Sequence, residues 1–325
     1  MEYSITCNGF DPNLIFGNLK GEIIDYKLSS YLVNLKLIYL YYNHPAIEIH
    51  CNKAYGKLGN EPFIHLHELE PPGIYHSKFV LITTTEMLRL IVMTTNITEQ
   101  LVQNCMNDYY IIDIPKSIRM YNTENVQTLN KYLDAFGIKM KVPIIMYDWS
   151  LVTGRLLVSI PKKDSHGIGF QRIKQLQYDK FTRQLGKPVK RILGKCTIMT
   201  SSAMLGYDIR TILGVQDVKF QYVKNIDGMN WILYDLEHNK DEKGKERYQL
   251  EEVRSFPFHF KRYTIEYSYQ GLKSKWLIIT SANLTRQAWG TTRYAAINAE
   301  MGIAWNTKQD FPFLEVPMIL EKKNN

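Results

Sequence analysis

Two histidines, two lysines and two asparagines recur in this 325-residue chain in the same order and at similar spacing. His76-Ser-Lys78 leads into Phe-Val-Leu-Ile, a hydrophilic turn and a second apolar run that ends near Asn96, 20 residues after the histidine. His259-Phe-Lys261 leads across a polar turn into Trp276-Leu-Ile-Ile-Thr, and Asn283 follows its histidine by 24 residues. On an extended backbone, residues two apart leave the same face, so each histidine is expected beside its lysine. Imidazole is the side chain best suited to attack or proton transfer near neutral pH. An ammonium is a point charge for a phosphate oxygen, and an amide can donate to the same oxygen without adding charge. Two copies facing one volume would cradle a phosphodiester. One histidine would attack phosphorus, the other would protonate the leaving oxygen, and water would release the phosphohistidine. The lysines supply the positive charge, so this chemistry asks for no metal and no cofactor.

The elements that must hold these residues alternate between strand and helix. Leu28, Tyr31, Leu32 and Leu35 recur at helical spacing. Residues 45–50 and 63–69 alternate as strands, and Asn96-Ile-Thr98-Glu99 carries helix-start chemistry. Residues 109–114 are expected as a strand, 123–136 as a helix stopped near Gly137, and 155–161 as a strand. Helix is expected over 168–185, strands over 196–202, 220–223 and 231–234, and a charged loop over 238–248. A short helix over 285–289 and a final strand over 299–305 complete the order. One supersecondary unit written twice predicts an α/β chain of two similar α-β-α sandwich domains, 1–140 and 141–325, related by a pseudo-twofold axis. The site would then lie between them. Asn96-Ile-Thr98 and Asn283-Leu-Thr285 are also the only Asn-x-Ser/Thr triplets in the chain, which supports the repeat.

An apolar fraction of 45% belongs to a globular chain rather than a disordered one. The longest apolar runs are too short to span a membrane, and the first residues have neither the basic flank nor the apolar core of a signal peptide. Four scattered cysteines without a CxxC pair fit free thiols in a reducing compartment. The net charge of +8 is concentrated: residues 160–196 hold ten Lys or Arg against Asp164 and Asp179. Such a segment fits an anionic partner or a solvated helix face, and its Phe170, Tyr178 and Phe181 fit core packing as well as base stacking. His65-Leu-His67 could offer two metal ligands, but no Cys or acidic partner stands at a suitable spacing, so both histidines read as surface or packing residues.

The doubled His-x-Lys with a distal asparagine resembles the phospholipase D superfamily. The string Thr280-Ser-Ala-Asn283-Leu-Thr-Arg-Gln-Ala-Trp289-Gly290 resembles its tyrosyl-DNA phosphodiesterase family, and the likeness covers nearly the whole chain. It extends to residues 14–26, to Ser201-Ser202 through Gly206, and to Glu300-Met-Gly302. The resemblance implies a monomeric DNA-repair enzyme, nuclear or mitochondrial. It would free DNA 3′ ends, single- or double-stranded, from the tyrosine of a topoisomerase I-derived peptide, with other 3′ or 5′ end adducts as further substrates, without a metal, a cofactor or a membrane. It makes His76 the nucleophile, His259 the general acid and then base, and Lys78, Lys261, Asn96 and Asn283 the phosphate ligands. Glu300 is implied to orient His259, Asn107 to stand where the family's glutamine orients His76, Tyr26 and Ser281 to line the site, and Ser201 to bind DNA phosphate. Pro72 and Met204 replace a stacking phenylalanine and a serine seen in animal members. The alternatives are another superfamily phosphodiesterase or a non-catalytic nucleic-acid binder. The lipid-cleaving HxKxxxxD form has Thr83 at its acid position in the first copy and Glu266 in the second. A non-catalytic relative would be expected to lack one of the four basic groups.

Overall fold

A computed structural model describes residues 2–8, 15–41, 46–56, 63–98, 106–161, 168–189, 191–200, 217–225, 231–240, 246–249, 253–255, 259, 261–283, 285–290 and 295–307. The first half supplies β1 (Glu2–Asn8), β2 (Ile23–Asn34), β3 (Ile47–Tyr55), β4 (Ile64–Glu68), β5 (Phe79–Thr84), β6 (Met87–Met93) and β7 (Met106–Pro115). These form one sheet in the order β1-β7-β6-β5-β2-β3-β4. Helices α1 (Leu35–Tyr41) and α2 (Glu124–Ala135) belong to this half, and two 3₁₀ turns (Ile144–Met146, Trp149–Leu151) follow. The second half supplies β8 (Arg155–Ser159), α3 (Ile168–Leu185), β9 (Leu193–Thr200), β10 (Asp217–Asn225), β11 (Trp231–Lys240), β12 (Glu246–Gln249), β13 (Val253–Ser255), β14 (Lys261–Tyr269), β15 (Leu272–Thr280), α4 (Arg286–Trp289) and β16 (Glu300–Thr307). Their sheet runs β12-β11-β10-β9-β14-β15-β16-β8, with β13 paired to β11.

The repeat is visible in the pairing itself. In one sheet β3 runs parallel to β2, and β5, β6, β7 and β1 follow antiparallel. In the other, β10 runs parallel to β9, and β14, β15, β16 and β8 follow antiparallel. Each half therefore repeats the same six-strand block, and both His-x-Lys pairs stand at the start of its fourth strand in chain order (β5 and β14). Both asparagines lie just past the next strand.

Three apolar layers hold the sheets. The strand period of two sends Val80, Ile82 and Ile91 to an outer core with α1, while Phe79, Leu81, Leu90 and Val92 face inward. With both faces covered, β5 and β6 are buried throughout, as expected for near-continuous apolar strands. The inner layer belongs to both halves: residues of the first sheet and α2 pack there with Leu156, Val158, Ile279, Met301 and Ile303. On the far side, α3 buries Ile173 and Phe181 against Tyr263, Ile265 and Ile278. The aromatic Phe181 of the basic helix is thus core, and no helix among the described residues is long and apolar enough to cross a membrane.

Most expected elements stand where the periodicity puts them. Thr123 caps α2 by accepting from Val126 N at 3.4 Å, and Gly137, at φ +67°, ends it in the left-handed region. Two expectations need correction. Leu28, Tyr31 and Leu32 lie on β2, and only Leu35 begins a helix. A strand covered on both faces from Asp25 to Ser30 carries apolar residues at any spacing, so helical periodicity there has no meaning. The charged stretch 238–248 is largely sheet: β11 continues to Lys240 and β12 begins at Glu246, with Lys240 opposite Glu246. Charge is what an exposed edge strand carries to block further pairing. The expected helix start at Glu99, residues 201–206 with the expected strand end at Ser201-Ser202, and the Phe256 to Phe258 segment lie outside the described residues.

The two halves approach closely at Gly73. A β-carbon there would meet the Ile297 carbonyl oxygen at 2.5 Å and its carbon at 2.8 Å. Gly73→Ala is expected to cost about 1–3 kcal/mol, the usual penalty for overpacking against backbone. Urea unfolding of the variant beside the parent measures it, and an unchanged midpoint would show that the two loops part easily.

Candidate active site

The segment leading to His76 is stitched to the other half of the molecule. His76 N donates to Ala299 O at 2.9 Å, Ala299 N to Ile74 O at 2.9 Å, and Ile74 N to Asn298 Oδ1 at 3.2 Å. From its own sheet, Tyr75 OH reaches Ser29 Oγ at 2.9 Å, and Ser29 Oγ donates to Ser77 O at 3.0 Å. These bonds satisfy the backbone of a non-strand segment buried between two sheets, which fixes where the imidazole points.

The ring of His76 is oriented from across the interface. Its Nδ1 donates to Glu300 Oε2 at 2.9 Å. Glu300, at the first position of β16, also accepts from Ser281 Oγ at 2.6 Å, and Ser281 Oγ in turn accepts from Met301 N at 3.0 Å. The carboxylate that the resemblance assigned to His259 therefore serves His76, and the orienting place expected for Asn107 is already taken. The reason lies in the pseudo-twofold arrangement: each histidine is met by groups of the opposite half. His259 donates from Nδ1 to Thr94 O at 2.6 Å, two residues before Asn96. Thr94 and Ser281 are structural counterparts. Thr94 N bonds Asp108 O at 3.1 Å and Thr94 Oγ1 accepts from Asp108 N at 3.0 Å, just as Ser281 pairs with Met301. Asn107, preceding Asp108, is accordingly the counterpart of Glu300.

The lysines sit beside their histidines, although His259 and the His76–Lys78 segment lie just before the strands rather than on them. Lys78 Nζ donates to His76 O at 2.8 Å, and Lys261 Nζ lies 3.1 and 3.2 Å from the two ring nitrogens of His259. With Nδ1 of His259 committed to Thr94, the ammonium donates to Nε2. Both lysines are fully buried, and the side-chain oxygens of Asn96 and Asn283 are buried with no hydrogen-bond partner among the described residues.

Other expected residues fall differently. Tyr26 packs in the outer core, edge-on to Phe16, on the far face of β2. Tyr31 is the aromatic residue of the site: its ring lies 5.2 Å from that of His76, with Lys78 Nζ 5.8 Å from its centroid. Five residues is an odd displacement on a strand, and the face changes with it. Ser281 supports Glu300 from beneath rather than lining the surface. Asn298, which spacing did not single out, donates from Nδ2 to Glu300 Oε1 at 3.4 Å. Behind the site, Arg262 of β14 holds Asp108 of β7 in a two-pronged ion pair, with Nε to Oδ2 at 3.0 Å.

Charge and burial set the protonation states. Burial pushes the His76 imidazole down to about 4, opposed by Glu300 and reinforced by Lys78 and Lys261. Burial, then Lys261 and Lys78, hold His259 well below the ordinary histidine range. Burial and Lys261 likewise hold Lys78 well below the usual lysine range. Burial alone would raise the Glu300 carboxyl, but His76, Lys78 and Ser281 together bring it below the usual glutamate range. The resting site thus holds neutral imidazoles, an anionic Glu300 and crowded positive charge, a combination suited to an anion. A histidine with a depressed folded pKa takes up its proton more readily in the unfolded chain. Its stabilising contribution is therefore complete above the unfolded value of 6.5 and is lost as pH falls toward the folded value of about 4. Between pH 7 and 5, His76 alone is expected to remove on the order of 2 kcal/mol of stability. Urea unfolding at stepped pH should give a flatter slope for His76→Asn, and an equal slope would mean that this imidazole is not buried in its neutral form.

Comparison with known proteins places this geometry. A profile of the tyrosyl-DNA phosphodiesterase family matches residues 28–202 and 200–318, which is most of the chain. No curated protein matches. Among solved structures, yeast tyrosyl-DNA phosphodiesterase superimposes with a TM-score of 0.65 at 15% identity, over 94% of this chain and 89% of the yeast chain. Its histidine-to-asparagine variant gives 0.65 at 14% identity over 94% and 90%, and its histidine-to-arginine variant 0.64 at 13% over 94% and 89%. These structures share the two-domain, phospholipase D-like α/β fold. Together with the family profile, the doubled site leads to one assignment: the chain belongs to the tyrosyl-DNA phosphodiesterase family and is a phosphodiester hydrolase of DNA repair.

Proposed function

We propose that this enzyme hydrolyses the bond between a DNA 3′-phosphate and a tyrosine, such as that of a stalled topoisomerase I peptide, by two displacements at phosphorus. The observation that carries this reading is the Glu300–His76 hydrogen bond across the two halves. It keeps the proton on Nδ1 and leaves the Nε2 lone pair of a neutral imidazole for attack. In the first displacement, Nε2 bonds to phosphorus as the phosphorus–tyrosine oxygen bond breaks. Lys78, Lys261 and the two asparagine amides receive the phosphoryl oxygens, where charge accumulates. His259 donates its proton to the departing tyrosine oxygen. A bound phosphodiester offsets the ammonium charges that otherwise depress His259, so substrate binding itself favours the protonated acid. In the second displacement, His259 takes a proton from water. The oxygen of that water attacks phosphorus, the phosphorus–nitrogen bond breaks, and DNA leaves with a 3′-phosphate.

The net charge of +8, with ten Lys or Arg among residues 160–196, fits DNA as the partner, single- or double-stranded, and Ser201 is proposed as a further phosphate contact. The enzyme acts as a monomer in this scheme, because both histidines come from one chain. Its proposed setting is a DNA-containing compartment, the nucleus or mitochondria.

His76→Ala is expected to lower turnover of a 3′-phosphotyrosyl oligonucleotide by about 10³-fold or more, as loss of a nucleophile does. Near-parent activity would remove His76 from that role. His259→Ala should instead slow release of the intermediate by about 10²–10⁴-fold, the range for a lost general acid–base. Denaturing gels of a labelled oligonucleotide should then show a protein–DNA adduct at His76. Slow turnover with no adduct at any time would exclude the two-step course.

A further inference from the structure

A second cluster of chemistry-bearing side chains lies on β3 and β4, at the edge of the first sheet. The parallel register sets His50 opposite His67 and Glu48 opposite His65, so all four leave one face of the sheet. Among the described residues, Glu48, His50 and His67 form the one group whose metal-ligating atoms lie close together, all within 4.8 Å of one another. Glu48 Oε2 is 3.8 Å from His50 Nε2 and 4.0 Å from His67 Nε2. The two imidazoles stack at 4.8 Å with their planes 9° apart.

These contacts are too long for hydrogen bonds and only slightly too long for shared ligands. Zinc binds nitrogen and oxygen at about 2.0–2.2 Å, so tetrahedral ligands stand roughly 3.4 Å apart. Rotation of the half-exposed His67 would close the difference. The independent observation concerns His50, which is 3% exposed while neither of its ring nitrogens has a hydrogen-bond partner among the described residues. A buried imidazole is ordinarily satisfied on at least one side. Glu48 is arranged to match. Its Oε1 is held by the buried Lys27, which is itself balanced by Asp25 at 2.9 Å, and its Oε2 is left facing the two rings.

We infer that Glu48, His50 and His67 hold a divalent transition-metal ion of the zinc class, with water at the position open to solvent beside His67. Two imidazoles and a carboxylate select zinc and its neighbours over magnesium or calcium. The local spacing of His65 and His67 hid the site, because the buried histidine and the carboxylate come from the neighbouring strand. The ion would pin β4 to β3 just upstream of the loop carrying His76, where Asn52 Oδ1 already receives Tyr75 N at 3.2 Å. Its role is to hold that loop, apart from the phosphoryl chemistry.

Calorimetric titration of the metal-free full chain with zinc sulfate tests this, with magnesium as control and cobalt absorption as a reporter of the ligand set. Saturable one-to-one zinc binding is expected, with a rise in Tm in excess zinc. His67→Ala should weaken binding at least 100-fold while leaving the Tm of the metal-free protein unchanged, and His50→Ala should abolish binding. If His50→Ala does not fold, His67→Ala decides alone. The absence of saturable zinc binding, equal affinity in His67→Ala, or loss of binding in His76→Ala instead would each overturn the assignment.

Discussion

The hydrogen bond from His76 to Glu300 joins residues 224 positions apart, and much of the molecule exists to keep it in place. A buried carboxylate is costly unless it is hydrogen-bonded on several sides. Glu300 has such partners in His76, Ser281 and Asn298. The backbone exchange between residues 74–76 and 298–299 sets the distance, and Gly73 permits the loops to approach that closely. Behind the site, the Arg262–Asp108 ion pair and the shared inner core keep the two sheets from sliding. Positional precision of this kind costs little reorganisation when substrate arrives.

The electrostatics have a single direction. Two buried lysines stand beside two imidazoles with one nearby carboxylate, and each imidazole is held neutral by burial and by the ammonium groups. The free enzyme carries this unfavourable crowding as part of its native state, and an anionic ester relieves it. The same groups that would receive the phosphoryl oxygens thereby tune both imidazoles.

Much of this was legible from the chain. The two His-x-Lys pairs, their asparagines and the boundaries of α2 and α3 follow from spacing, capping and apolar period. What was not legible is long-range. Whether Glu300 faces His76 or His259 depends on how two repeats pack, and no local pattern encodes it. Tyr26 and Tyr31 are both aromatic residues on one strand, and only the pairing of β2 with β3 and β5 decides which face meets the histidine. Residues 28, 31, 32 and 35 imitate a helix because a strand covered on both sides has no polar face to reveal its period. The likeness to the yeast enzyme at 15% identity carries the same lesson: the fold persists where few side chains do.

The two histidines are counterparts in the internal repeat, yet they are held by unlike groups, a carboxylate for His76 and a backbone carbonyl for His259. A symmetric pair of identical subunits could not make that distinction, since every change in one active-site wall would appear in both. Joining two copies in a single polypeptide lifts the restriction and lets each wall diverge alone. Glu300 and Asn107, counterparts with different charge, record such divergence. Covalent duplication therefore permits the division of labour proposed above, with one imidazole for attack and its twin for carrying protons.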